Sequence, residues 1–246
     1  MRKLDLNQPV TQPTLPSSIV VQWKYDGEER TTFLLTKRTL EFGRESTSDV
    51  CLRVEPVENH ANKEASLQIS RRHFRLSVDN DAAQIIDLGS ASGTSVNSTT
   101  LEPSKPFVLQ SGEIITIADV LRLSVWIEKE SDEIQAVHLR RVDNLPGTEY
   151  ICLLGQGAID IGEHTLLRLP LASARQGRVR AIDIEQDHVV RPPALLLAVD
   201  GIIHIKRTGN DPVTVNQTEL DRNQSVPLPE SGVFQVGNSI FTIRTA

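Results

Sequence analysis

The stretch Gly89-Ser-Ala-Ser-Gly93 has the outline of a nucleophile elbow, and it is the first place to look for chemistry in this chain. A serine nucleophile there would need to sit at the centre of a G-x-S-x-G turn between a strand and a helix, and Ala91 occupies that position instead. Gly155-Gln-Gly157 lacks the third glycine and the helix that a dinucleotide fold requires, and there is no P-loop. The six histidines show no metal-ligand spacing. Cys51 and Cys152 stand far apart without a CxxC pattern, which predicts two reduced, buried thiols rather than a disulfide or a metal site. These absences argue against an enzyme, a metal and a cofactor.

Charge narrows the choice further. The net charge is −6, and no long Lys/Arg run exists to supply the phosphate contacts that dominate nucleic-acid affinity. Nucleic acid and anionic membrane surfaces are therefore not expected as partners. No apolar run approaches the roughly 18 residues needed to span a bilayer, and the first residues lack the apolar stretch of a signal peptide, so a cytoplasmic location is expected. The sequons Asn97-Ser-Thr and Asn216-Gln-Thr carry weight only in a secreted chain. Any basic site must be small and local.

The elements that would position such a site are short strands. Phe74, Leu76 and Val78 alternate with polar neighbours, as do Leu121, Leu123, Val125 and Ile127. Turn-rich stretches such as Gln110-Ser-Gly-Glu113 separate them, and no amphipathic helix of three turns is evident. Residues 1–17, with three prolines, read as a flexible arm, and the charged string Glu128-Lys-Glu-Ser-Asp-Glu133 marks a linker at 129–138. The halves also repeat. Phe33-Leu-Leu and Leu40-Glu-Phe-Gly43 align with Cys152-Leu-Leu and Ile159-Asp-Ile-Gly162 at an offset of 119, and Asn97 and Leu101 align with Asn216 and Leu220 at the same offset. Phe74 to Val78 align with Leu195 to Val199 at an offset of 121. Two copies of one fold follow.

Four fragments of the first copy, Gly43-Arg44, Ser70-Arg-Arg-His73, Ser90-Ala-Ser-Gly-Thr94 and Val96-Asn97, occur in an order and spacing that resemble the forkhead-associated (FHA) domain family. The closing Leu109-x-x-Gly112-Glu-x-Ile115 fits the same pattern. The resemblance covers about residues 19–127 and implies an all-β chain of two tandem FHA-like sandwiches built from short, mostly antiparallel strands. Residues 18–128 would be the FHA domain and 139–246 a degenerate copy.

The resemblance implies that the first copy binds a threonine-phosphorylated protein. A phosphothreonine carries about −1.5 to −2 charges and three acceptor oxygens, so its pocket must offer donors and positive charge. Arg44 can grip two oxygens with its planar fork. Ser70 adds a hydroxyl, and Arg71 stands where many family members add another contact. Ser92 and Thr94 complete the expected peptide-contacting set, while Gly43, His73, Gly93 and Asn97 are the structural part of the motif. Ser92 departs from the asparagine usual at its position, which normally bonds the peptide main chain. The long segment from Val54 to Ser66, with three glutamates and one lysine, reads as a solvated loop; the alternative is a rim that repels acidic peptides.

In the second copy Glu163 falls opposite Arg44, Arg191 opposite Ser70, Ala194 opposite His73 and Pro212 opposite Gly93. That copy is expected to lack the pocket and to serve in packing, self-association or phosphate-independent docking to a protein. Two functions remain in view: a phosphothreonine-dependent adaptor in Ser/Thr kinase signalling, and a phosphorylation-independent scaffold that uses the same fold.

Overall fold

In the computed structural model the described residues are 18–25, 27–130, 132–142, 148–154, 158–161 and 193–245. The expected arm at 1–17 lies outside them. The order is β1 (Ser18–Tyr25), β2 (Glu28–Leu35), β3 (Thr39–Gly43), β4 (Val50–Cys51), α1 (His60–Gln68), β5 (Phe74–Val78), β6 (Ala83–Asp87), β7 (Thr94–Val96), β8 (Thr99–Thr100), β9 (Pro106–Val108), β10 (Ile114–Ile117) and β11 (Leu121–Glu130). It continues with β12 (Glu133–Arg141), β13 (Thr148–Leu153), β14 (Ala158–Ile161), β15 (Ala194–Val199), β16 (Ile202–Arg207), β17 (Val213–Val215), β18 (Thr218–Glu219), β19 (Ser225–Pro227), β20 (Gly232–Val236) and β21 (Ser239–Thr245). The chain is all-β with one short helix among the described residues, and all strand pairs but β3–β4 and β2–β13 are antiparallel.

Alternation makes the layers. Successive side chains of a strand point to opposite faces, so β5 buries Phe74, Leu76 and Val78 and β6 buries Ala83 and Ile85. The sheet β4-β3-β5-β6-β9 closes its apolar face over β13-β12-β11-β10-β7-β8, with Phe42 stacked on Phe74 at 4.5 Å between ring centres. A second sandwich repeats this order, β14-β15-β16-β19 over β2-β1-β21-β20-β17-β18, around Phe234 stacked on Phe241. In β15 the buried residues are Ala194, Leu196 and Ala198, and Ala194 pairs with Ile161 as Phe74 pairs with Phe42. The expected match of Phe74 to Leu195 is therefore one residue out. A one-residue slip would turn the strand's apolar set to solvent, so Pro193, not Ala194, stands opposite His73.

The two sandwiches are not beads on a string. Hairpin β1–β2 leads directly into β3, yet β1 pairs with β21 of the second sandwich, at Ile19↔Thr245 through Gln22↔Thr242. Hairpin β12–β13 leads toward β14, yet β12 pairs with β11 of the first. Each hairpin thus completes the sandwich other than the one its chain runs into. They meet at the parallel pair β2–β13, where Phe33, Leu34 and Leu35 lie beside Tyr150, Ile151 and Cys152. Leu35, Tyr150 and Cys152 enter the first core, and Leu34 and Ile151 the second. A strand covered on both faces reads as a continuous apolar run, which is why Phe33-Leu-Leu and Tyr150-Ile-Cys-Leu-Leu154 do not alternate.

This arrangement corrects the expected linker. Residues 133–141 are strand β12, with Ile134, Ala136, Val137 and Leu139 buried. Lys129, Asp132 and Glu133 lie about the turn of the β11–β12 hairpin, where the register shifts between Glu128 and Lys129. Charge is tolerated at these three positions because they are exposed. The segment expected to be a loop, 54–66, also differs, since it contains most of α1. Asn59 caps the helix by accepting from the Ala61 N–H at 2.9 Å, and Ser66 is its one buried residue. A helix with no apolar face leaves no hydrophobic period to detect. Of the two thiols, Cys152 is buried but Cys51 is exposed, because β4 turns Val50 inward instead.

Candidate functional site

Gly43 ends β3 against the loop that precedes β5. A Cβ added there would lie 2.0 Å from the Arg71 carbonyl oxygen, so only glycine permits the approach. The contact is then stitched by main chain: Arg44 N–H donates to Ser70 O at 3.1 Å, Glu45 N–H to Arg71 O at 3.2 Å and His73 N–H to Phe42 O at 2.8 Å. Arg44, Ser70 and Arg71 are thereby held side by side at the end of the sandwich.

His73 is fully buried and bonds two loops together. Its Nδ1 accepts from the Ser70 N–H at 2.9 Å, so the proton sits on Nε2, which donates to Gly93 O at 3.0 Å. Burial holds its pKa below the usual histidine value despite the Gly93 carbonyl and Asp87, as a neutral ring in this role requires. Asp87 organises the other loop. Oδ1 accepts from the N–H groups of Gly89 and Ser90, both at 2.8 Å, and Oδ2 accepts from Ser90 Oγ at 2.6 Å and Thr94 Oγ1 at 2.5 Å. Burial works against this carboxylate's charge, but the four donors prevail and keep its pKa below the ordinary aspartate value. Gly93, at φ +77°, turns the chain where a side chain would be strained.

The Ala91 N–H donates to Ser70 Oγ at 2.9 Å, which occupies a lone pair of the hydroxyl and leaves its proton to point elsewhere. Arg44, Ser70, Arg71 and Ser92 line one open cleft of about 480 Å³, with Leu67 and Gln68 of α1 also on its wall. Charge is distributed unevenly around it. Arg72 Nε and Nη2 both donate to Glu41, at 2.7 Å each, and Arg75 adds a bond at 2.8 Å, which pulls the Glu41 pKa down to about 2. Arg44 and Arg71 have no carboxylate partner among the described residues, and Arg44 Nε is buried without an acceptor.

One expected peptide-contacting residue, Thr94, lies apart from the cleft, and Asn97 has the structural place expected of it. Thr94 is 1% exposed and spends its hydroxyl on Asp87, so it cannot touch a peptide. Asn97, at φ +48°, accepts from the Ile114 N–H at 2.9 Å and fixes the β7–β8 turn to β10. Sequence reading passed over Asp87, whose signal was an acid opening the turn Asp87-Leu-Gly-Ser, and over Leu67 and Gln68, which had no signal at all. Glu163 and Arg191 of the second copy lie outside the described residues. Pro193 and Pro212 stand where His73 and Gly93 do in the first.

A β-sandwich whose loops hold a small cationic cleft at one end is the frame of a binding module. Residues 40–118, from β3 to just past β10, match the FHA domain family model, and the chain carries an FHA domain there. Several solved structures similar to part of the chain are FHA domains. One is the FhaA FHA domain complexed with the intracellular domain of Rv3910, with 26% identity over 41% of this chain and 92% of that one, at a TM-score of 0.28. Another is the Mycobacterium tuberculosis Rv1747 FHA-1 domain, with 25% identity over 41% and 86% at 0.25. The N-terminal FHA domain of S. cerevisiae Rad53p, in complex with a phosphothreonine peptide, has 18% identity over 55% and 93% at 0.29. No curated protein matches the chain by sequence.

Proposed function

We propose that the first sandwich binds phosphothreonine in a partner protein, and that the chain is a cytoplasmic adaptor acting after a Ser/Thr kinase rather than an enzyme. The observation that carries this reading is the pairing pattern of the four arginines around the loop. Glu41 pairs with Arg72 and Arg75, while Arg44 and Arg71, on a wall that also carries Glu45, have no carboxylate partner among the described residues and stand beside a hydroxyl whose lone pair is already engaged. Such a set suits an anion with several acceptor oxygens. In this reading Arg44 grips the phosphate by its fork, Ser70 and Arg71 add donors, and Ser92, exposed on the cleft wall, meets the peptide main chain with a shorter reach than asparagine. The second sandwich is an FHA-like fold without this pocket, since proline in place of His73 removes the ring that joins the two loops.

The test is titration of the full chain with a phosphothreonine peptide library and its unphosphorylated counterpart. Binding should require the phosphate, and Arg44→Ala should weaken it by about 1.5–3 kcal/mol, the range for a hydrogen bond to a charged group. Affinity should also fall below about pH 6, where phosphate loses its second charge. Equal binding to both libraries favours the phosphorylation-independent scaffold.

A further inference from the structure

The connection between β4 and β5 builds a second cleft against the first. It has a volume of about 620 Å³ and shares Arg44 and Leu67 with the candidate phosphate site. Arg53 and Lys63 stand on its walls with Val57 and Glu58. The segment is braced from several sides. Ser66 Oγ accepts from the Val54 N–H at 2.8 Å and donates to Asn62 O at 2.7 Å. Asn62 Nδ2 bonds Pro56 O at 3.1 Å, and Arg141 from β12 donates to Arg53 O at 2.9 Å.

Its chemistry is specific. Leu67 is 66% exposed at the junction of the two clefts, a large aliphatic surface left to water at the end of a helix. Arg53 and Lys63 have no carboxylate partner among the described residues, and Glu58 is the only acid on the wall. The segment's other glutamates are not on this wall: Glu55 accepts from the Val57 N–H, and Glu64 lies 3.7 Å from His60. Three cations including Arg44 therefore face one carboxylate, on a protein of net charge −6. The excess of positive charge lies on the cleft wall itself.

We propose that this α1 cleft is a second subsite for the same phosphopeptide. It takes an aliphatic side chain on Leu67 and Val57 and an anionic group, carboxylate or second phosphate, between Arg53 and Lys63. The inference rests on the phosphothreonine reading of the first cleft and adds a preference for what flanks the phosphothreonine. Charge complementarity and continuity through Arg44 and Leu67 identify the occupant.

The experiment measures anisotropy of labelled phosphothreonine peptides with the full chain. One peptide has only alanine and serine flanks. The others add leucine with aspartate, or leucine with phosphoserine, at varied places on either side. The best flanked peptide should bind about tenfold tighter than the neutral one, and added salt should erode the gain. The double variant Arg53→Ala/Lys63→Glu should abolish that gain while holding the neutral phosphopeptide within about twofold of wild type, since neither side chain lines the first cleft. Comparison of the aspartate and phosphoserine series identifies the anion. Absence of any gain, its persistence in the double variant, or an equal loss for all peptides overturns the subsite. If even the neutral peptide binds without regard to its phosphate, the first-cleft reading fails and takes the subsite with it. Lost flank preference with intact phosphate dependence sinks the subsite alone.

Discussion

Set side by side, the two sandwiches share strand order, a stacked phenylalanine pair and an asparagine turn, and they part company at the loops before β5 and after β6. In the first, His73 joins these loops and Asp87 collects four donors. In the second, Pro193 and Pro212 hold the matching positions, and a proline ring can neither accept from the loop nor follow the positive φ of Gly93. The framework therefore needs only alternating apolar residues. The cleft needs buried polar residues satisfied one by one. A fold can outlive its site because the two depend on different residues.

The hairpin exchange complicates that comparison, and breaking it has the largest expected effect. Ile19 lies near the start of the described chain but packs in the second core, where it is fully buried. Ile19→Ala should cost about 2–5 kcal/mol by lost burial and a cavity. Amide exchange should speed up in β15, β16, β20 and β21 and change little in β3, β5 and β6, with phosphopeptide binding retained. Leu35→Ala, in the first core, should do the reverse. If Ile19→Ala loosened β3–β6 instead, the hairpin would belong to the sandwich that its chain runs into.

How much of this could be read beforehand follows from what leaves a period. The strands and the FHA motif were legible because buried faces alternate and because Gly43, Ser70 and His73 are constrained by steric and hydrogen-bonding needs of their own. The exchange was not, since β1 and β12 carry equivalent patterns and either could pair with β11. Only chain connection and the packing of Leu34 against one core and Leu35 against the other decide between them. Helix α1 was invisible because it buries a serine rather than an apolar stripe. Thr94 was misassigned because a motif does not say which of its hydroxyls face inward.

The exchange also buries charge at the junction. His138 of β12 is fully buried, with Glu128 at 3.1 Å and Glu149 of β13 at 3.4 Å. Burial disfavours its charged form, but the two carboxylates outweigh that and raise its pKa to about 9. A group whose pKa is raised on folding stabilises fully below its unfolded value, about 6.5, and that stabilisation is lost as pH rises through about 9. Denaturant unfolding should therefore show stability falling from neutral pH to beyond pH 9, by on the order of 2–3 kcal/mol. His138→Gln should be less stable at neutral pH and flatter across that range. A wild-type profile flat from pH 7 to 10 would mean that the ring is neutral in the fold.

The smallest effect isolates what the sandwiches share. Asn97 and Asn216 both adopt positive φ, +48° and +46°, and accept from the N–H of Ile114 and Val233 at 2.9 and 3.1 Å. A non-glycine residue there carries strain that a short side chain offsets by its local bond. Asn97→Ala and Asn216→Ala should each cost about 1–2 kcal/mol of stability, and neither should move phosphopeptide affinity by more than about twofold, because both turns lie outside the cleft. Glycine at either position should recover the strain but not the bond, and so fall between. Matching losses would tie both turns to the common framework. A tenfold loss of affinity confined to Asn97→Ala would instead put Asn97 in contact with the peptide, and the line between framework and cleft would then run through β7 rather than through the loop before it.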